Sequence, residues 1–280
     1  MTTVTAVDVG IPEVEVRLGG RSAAVLAVAS LAGLVLFIWP LLIPVPAGWT
    51  HTQDAPIVFA ALVPIMVLLV LTQLSDGGMD TRTLALLGVL SAINAALRPA
   101  LGAGTAGIES VFFLLILAGR AFGPGFGFIL GTTSMAASAM FTAGVGPWLP
   151  FQMLAAGWIG LGAGLLPGRA RGRATLGQLA MLIVYAIAAA YFYGAIMNLW
   201  SWPTITGIST PGYTGPTGGL DYVPGAPWLD NVKRFGAYTL FTSTAGWDTG
   251  RAISTAIALA VLGRPILDVL HRAGRRARLS

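Results

Sequence analysis

The chain has 280 residues, 55% of them hydrophobic and only 10% charged, with a mean hydropathy of +0.79. Soluble domains carry about 25% charged residues, so the composition defines an all-α integral membrane protein, whose apolar runs of 18 or more residues each suffice to cross the bilayer as a helix. The absence of cysteine excludes disulfides, thiolate metal sites and cysteine nucleophiles. The two histidines, His51 and His271, fall in segments predicted on opposite sides of the membrane, so no histidine metal site or triad can be built and no cofactor is expected.

In chain order, residues 1–21 form a short lead of mixed charge with little periodicity. Spans are predicted at about 22–43, 56–75, 83–101, 108–120, 124–142, 148–167, 177–200 and 247–270. The first is about 22 apolar residues long, against 7–15 for a secretory signal, which favours a retained helix. The first two make a hairpin, residues 22–75, around the outer loop VPAGWTHTQDAP; their interiors are aliphatic apart from Pro40 and Pro64. Span four is short for a full crossing and is expected to tilt or to meet the turn at Gly123–Pro124 inside the membrane. Spans six and seven are joined by GRARGR, and span seven leads into the long segment 201–246, rich in glycine, proline and aromatic residues. Connections of this length tend to be functional lids or disordered. Trp202, Tyr222 and Trp228 favour a packed lid, with residues 235–244 as a candidate helical part. A basic tail, 272–280, ends the chain.

Charge follows this order. With the N-terminus in the cytoplasm, twelve arginines lie inside (Arg17, Arg21, Arg82, Arg120, Arg169, Arg171, Arg173, Arg264, Arg272, Arg275, Arg276 and Arg278). Only Arg98, Lys233, Arg234 and Arg251 lie outside. This is the positive-inside pattern, and it accounts for the net charge of +5 without nucleic acid. Both termini are then expected to be cytoplasmic.

The chain contains no phosphate loop of the form GxxxxGK[ST] and no acid or lysine at the centre of a predicted span. Ion-coupled transporters usually need such relays, so uphill transport would need energy from another subunit. The polar residues fall instead in the outer third of spans three to eight: Asn94 and Arg98 one turn apart, Glu109, Ser138 and Thr142, Trp148 and Gln152, Tyr191 and Asn198, and Trp247, Asp248 and Arg251. A polar ring in one leaflet suggests an outward-facing pocket. Each member also has a plainer reading: Arg98 and Arg251 could snorkel, Asp248 and Arg251 could pair as i, i+3 neighbours, and Ser138 and Thr142 could bond to their own helix. Seven of the eight tryptophans lie at or beyond the outer boundary, whereas an ordinary aromatic belt populates both interfaces. Aromatic planes around a few polar groups line many small-molecule sites.

The most informative stretch is AGRAFGPGFGFILGTTSMAASAMFTAGVGPWLPFQMLAAGWIGLGAGLLP, residues 118–167. Gly123, Gly127 and Gly131 form one four-residue ladder and Ala156, Gly160 and Gly164 another, which let helices approach closely in lipid. Pro124 and Pro147 sit at helix starts, where no needed hydrogen bond is lost. With TLALLGVLSAINAALRPAL at 83–101 and TSTAGWDTGRAISTAIALAVLGRPILDVL at 242–270, this stretch resembles the substrate-binding (S) component of energy-coupling factor (ECF) vitamin transporters. The resemblance implies a six-helix core over 83–271, to which the hairpin is an addition. It implies capture of a vitamin or related small molecule at the outer face, leaning toward cobalamin or a corrinoid precursor. It further implies a coupling transmembrane subunit and ATPase subunits as partners. The small-residue ridge Ala85, Gly88 and Ala92 would correspond to the family's docking helix, although intramolecular packing explains it equally well. The alternatives are a membrane enzyme acting on a lipid-linked substrate with Glu109, Asp248 and Arg251, and an assembly protein without a ligand.

Overall fold

A computed structural model describes residues 19–43, 63–68, 70–72, 75, 79–100, 108, 111–142, 144–168, 174–202, 220–223 and 225–279. Most of these residues are helical, with no strand among them, as expected for an all-α membrane protein. In chain order the helices are α1 (Gly20–Leu42), α2 (Thr81–Ala100), α3 (Val111–Phe122), α4 (Pro124–Phe141), α5 (Leu149–Leu165), α6 (Leu176–Ser201), α7 (Trp228–Thr239) and α8 (Thr249–Leu279). A π-helical segment, Leu240–Asp248, joins α7 to α8 without a break. Residues 63–68 and 70–72 are also helical. Among the described residues, three runs are long and apolar enough to cross a membrane: Gly20–Trp39, Leu176–Ser201 and Trp228–Arg275.

The short span four becomes the centre of the bundle. All twelve residues of α3 are buried, and α2, α4, α5, α6 and α8 all pack against it. At about 1.5 Å per residue α3 is too short to cross alone, and the chain reverses at Gly123, where φ is +105°. A side chain would be strained there, so glycine is required. The fold-back sets Gly127 against Gly119.

The two glycine ladders interlock. A Cβ on Gly127 would overlap the Gly160 carbonyl, one on Gly160 would overlap Gly127, and one on Gly131 would overlap the backbone of Ala156. Helices α4 and α5 therefore touch backbone to backbone, the arrangement that small residues permit in lipid. At the far end of this pair, Arg120 is buried and donates to the carbonyls of Leu166 (2.7 Å), Pro167 (3.1 Å) and Gly168 (2.6 Å). It thereby satisfies the backbone left open at the end of α5. Thr175 and Gln178 form a reciprocal cap at the start of α6, and Gln178 also donates to Gly168 (2.8 Å).

Helix α1 docks on α5 and α6. Phe37 is fully buried with its ring centroid 4.9 Å from that of Phe151, and Trp158 donates to Ser30 at 2.8 Å. The outer loop of the predicted hairpin lies outside the described residues. The last span starts far earlier than expected. Helix begins at Trp228 rather than at about 235, and it continues past 271 to Leu279. The buried aromatic group of Trp202, Tyr222 and Tyr238 explains this start. Trp202 donates to the Leu220 carbonyl (2.9 Å), and Asn231 clamps Val223 through both its N–H (3.1 Å) and its carbonyl (3.0 Å). Leu220 and Val223 are thus held by tertiary contacts that no local periodicity announces.

Candidate functional site

One end of the bundle gathers the C-terminal parts of α2, α4 and α6 with the N-terminal parts of α3, α5 and α8, and polar side chains lie buried there. On one side of α3, Asn94 is 1% exposed and its Nδ2 donates to Ser134 at 3.0 Å. One turn nearer the middle, the hydroxyls of Ser91 and Thr133 meet at 2.8 Å. One turn nearer the end, Arg98 Nη1 reaches the Met135 sulfur at 3.3 Å. Asn94 Oδ1 and the Ser138 hydroxyl are buried without a partner among the described residues. Buried polar groups in native proteins are nearly always paired, so these two open valences make this end the candidate site.

On the other side, Asp248 is 1% exposed. Its Oδ1 accepts from Arg251 Nη1 at 2.9 Å and its Oδ2 from the Ser243 hydroxyl at 2.6 Å. The Ser243 bond spans five residues and depends on the π turn; in a regular α-helix residues five apart diverge around the axis. π turns occur frequently at functional sites. Gly194 on α6 makes room for the carboxylate, because a Cβ there would overlap both its oxygens. The Arg251 guanidinium lies 5.0 Å from the Tyr193 ring centroid and 5.4 Å from that of Phe112, which meet each other edge to face. Arg251 is therefore held by an ion pair and two aromatic faces and does not snorkel. Next along α6, the Tyr191 hydroxyl meets Thr249 at 3.0 Å.

The other predicted residues divide. Gln152 shares a stripe with Ala156, Gly160 and Gly164, spaced four apart. Since Ala156 meets Gly131 and Gly160 meets Gly127, the register sets Gln152 near Met135, with α4 between it and Asn94. Trp148 folds over its own turn, donating to the Gly144 carbonyl (3.0 Å), and is 39% exposed. Trp247 is 43% exposed. Glu109 lies outside the described residues. Asn198 is half-buried, with its Nδ2 unpartnered among the described residues. Thr142 bonds its own helix at Ser138, as its plainer reading expects. The ridge Ala85, Gly88 and Ala92 is exposed, and no described residue lies within 4 Å of where a Gly88 Cβ would be. Among the described residues it faces out of the bundle.

Sequence reasoning missed Ser134, Phe112, Tyr193, Gly194 and Ser243. Gly194 carried a signal, since Tyr191, Gly194, Asn198 and Trp202 follow a helical 3-4-4 spacing. Ser243 carried none, because its role exists only in the π register.

An apolar helical bundle with three membrane-length runs among its described residues is an all-α membrane protein, and its buried polar end is the candidate site. The family model described as ECF transporter, substrate-specific component, matches residues 82–244, more than half of the chain. The chain belongs to that family, which is a family of transporter components and not of enzymes. No curated protein and no solved structure matches it significantly. The family match runs from the start of α2 into the π segment, so α1, Asp248 and Arg251 lie beyond it.

Proposed function

We propose that this chain captures a vitamin-like small molecule at the outer end of the bundle and delivers it to a separate energising module. The observation that carries the reading is the clustering of Asn94, Ser138, Asp248 and Arg251, all buried, at one end of the bundle, where Asn94 and Ser138 keep polar atoms that no described residue partners, whereas buried Arg120 at the other end is spent on backbone carbonyls. Burying unpaired polar groups is costly, and a protein that only needed to fold would fill this end with aliphatic residues. The ligand is expected to contact Asn94, Arg98, Gln152, Tyr191, Asn198, Asp248 and Arg251, with Glu109, Trp148 and Trp247 at the rim. The ligand is read as a bulky one of the cobalamin or corrinoid-precursor type; residues 203–219 of the lid expected from the sequence lie outside the described residues.

The chain is multi-pass in the cell membrane with both termini cytoplasmic, a reading supported by the alternation of arginines. Its partners are a coupling transmembrane subunit, which would dock on the exposed ridge Ala85, Gly88 and Ala92, and ATPase subunits. The chain has neither a phosphate loop nor an ionisable relay at mid-membrane, so concentrative uptake must draw on ATP hydrolysed elsewhere. The test is uptake into vesicles. Accumulation should require the coupling and ATPase subunits with hydrolysable ATP. Accumulation by this protein alone, driven by a proton or sodium gradient, would overturn the proposal.

A further inference from the structure

The stripe Tyr191, Gly194, Asn198 and Trp202 on α6 faces the α7–π–α8 run, and three contacts fix its register. Tyr191 meets Thr249 at 3.0 Å, Gly194 cradles the Asp248 carboxylate, and the Trp202 ring centroid lies 6.4 Å from that of Tyr238. Asn198 falls between the second and third of these. By this register the facing stretch of the run carries Thr239, next to Tyr238, and Ser243, one turn further on. Two polar groups in this interval are buried with no partner among the described residues: Asn198 Nδ2 and the Thr239 hydroxyl, the latter in a residue only 8% exposed. The seam is therefore bounded by aromatic rings at one end and by a carboxylate at the other, with an open donor and an open hydroxyl between.

We infer that this seam is a subsite for an uncharged, hydrogen-bonding group of the ligand, such as a carboxamide or hydroxyl, and that it rejects carboxylates. This rests on the proposed capture of a small molecule and names the chemistry of its polar end. Asn198 Nδ2 donates to a carbonyl or hydroxyl oxygen, and the Thr239 hydroxyl takes the complementary role. Discrimination comes from Asp248. Its Oδ2 is held by Ser243, on the seam's own run, while its counter-ion Arg251 bonds the other oxygen and lies against Tyr193 and Phe112, so the seam meets the negative end of the pair, which leaves a neutral group unopposed. A second anion would face a buried carboxylate whose compensating cation is already engaged, and juxtaposed like charges disfavour the wrong partner strongly. Asn198 and Thr239 are thus specificity-determining residues.

Cysteine chemistry on this naturally cysteine-free chain tests the inference without a known ligand. Asn198→Cys and Thr239→Cys would be made separately in the full chain, and their modification rates measured in detergent. The reagents are the neutral 2-hydroxyethyl and the anionic 2-sulfonatoethyl methanethiosulfonates. Exposed Lys233→Cys calibrates intrinsic reactivity, and Leu182→Cys, at a fully buried position, supplies the closed reference. Both seam cysteines should react with the neutral reagent well above the Leu182→Cys rate. After calibration the anionic reagent should be slower by about tenfold or more, as expected for a like charge a few ångströms away in a partly buried site. Adding Asp248→Asn should narrow that gap. Seam cysteines as silent as Leu182→Cys, or equal calibrated rates for both reagents, would overturn the subsite. A reactive, charge-selective seam in a protein that supports no ATP-driven uptake would instead count against the transport reading alone.

Discussion

Asp248 and Arg251 show how much of the site's energetics a single pair holds. A buried ion pair contributes little net stability, but breaking one leaves an uncompensated buried charge and costs about 3–5 kcal/mol. Arg251→Ala should therefore lower the unfolding midpoint in detergent sharply, and Asp248→Asn less so, because its amide still accepts from Ser243. Replacing both residues by Leu should destabilise less than Arg251→Ala alone, and a double variant worse than the single would contradict the geometry. Gly194→Ala places a methyl on the carboxylate and should resemble Arg251→Ala despite being far milder chemically. Among residues outside that pair, Gln152→Ala should weaken ligand binding by about 1–3 kcal/mol, the usual cost of an unpaired buried partner. Gln53→Ala, in the first outer loop, should leave affinity unchanged; calorimetric titration once a ligand is in hand compares the two. At this scale the sequence was partly legible. Asn94, Asp248 and Arg251 could be found as polar residues in an apolar background, and their i, i+3 and i, i+4 spacings were visible. Phe112, Tyr193 and Ser243 could not, because an aromatic ring or hydroxyl in a membrane helix looks like ordinary packing until its neighbour on another helix is known.

At the scale of elements, two kinds of small-residue pattern have opposite fates. The ladders in α4 and α5 are buried against each other, while the ridge of α2 faces outward with no described residue against Gly88. Both patterns look alike in the sequence; only the tertiary arrangement separates them. Gly160→Val should drive α4 from α5 and abolish the monodisperse detergent-solubilised fraction on size-exclusion chromatography. Gly88→Val, by contrast, should leave that profile unchanged and reduce co-purification of the coupling subunit. Equal loss of folded protein for both would mean that the ridge is part of the core. The start of the last helical run was hidden for a related reason. Residues 220–231 read as turn sequence, and their order comes from Trp202 and from the Asn231 clamp on Val223. The π segment likewise has no signature in propensity, since it is fixed by the Ser243–Asp248 and Thr249–Thr244 bonds.

For the whole molecule, the unequal lengths of the helices are informative. The run from Trp228 to Arg275 has 48 residues, about 70 Å at helical rise, against a hydrocarbon core of about 30 Å. Much of it must project beyond the membrane, and under the proposed topology its arginine-rich end lies in the cytoplasm. A cysteine at position 170, in the inner loop between α5 and α6, should be unreactive to an impermeant reagent added outside intact cells; labelling from outside would reverse the orientation. The central α3, too short to cross, works as a buried pillar, on one side of which stands the Asn94 cluster and on the other the Asp248 pair. Capture of a small molecule at that end is the central claim. Its most direct measurement is mass spectrometry of small molecules that co-purify with the detergent-solubilised protein, alongside the Asp248→Asn and Asn94→Ala variants. One molecule near equimolar amounts with the native chain, and depleted from both variants, is the predicted result. No molecule enriched over the variants, after expression in a rich medium, would contradict the account.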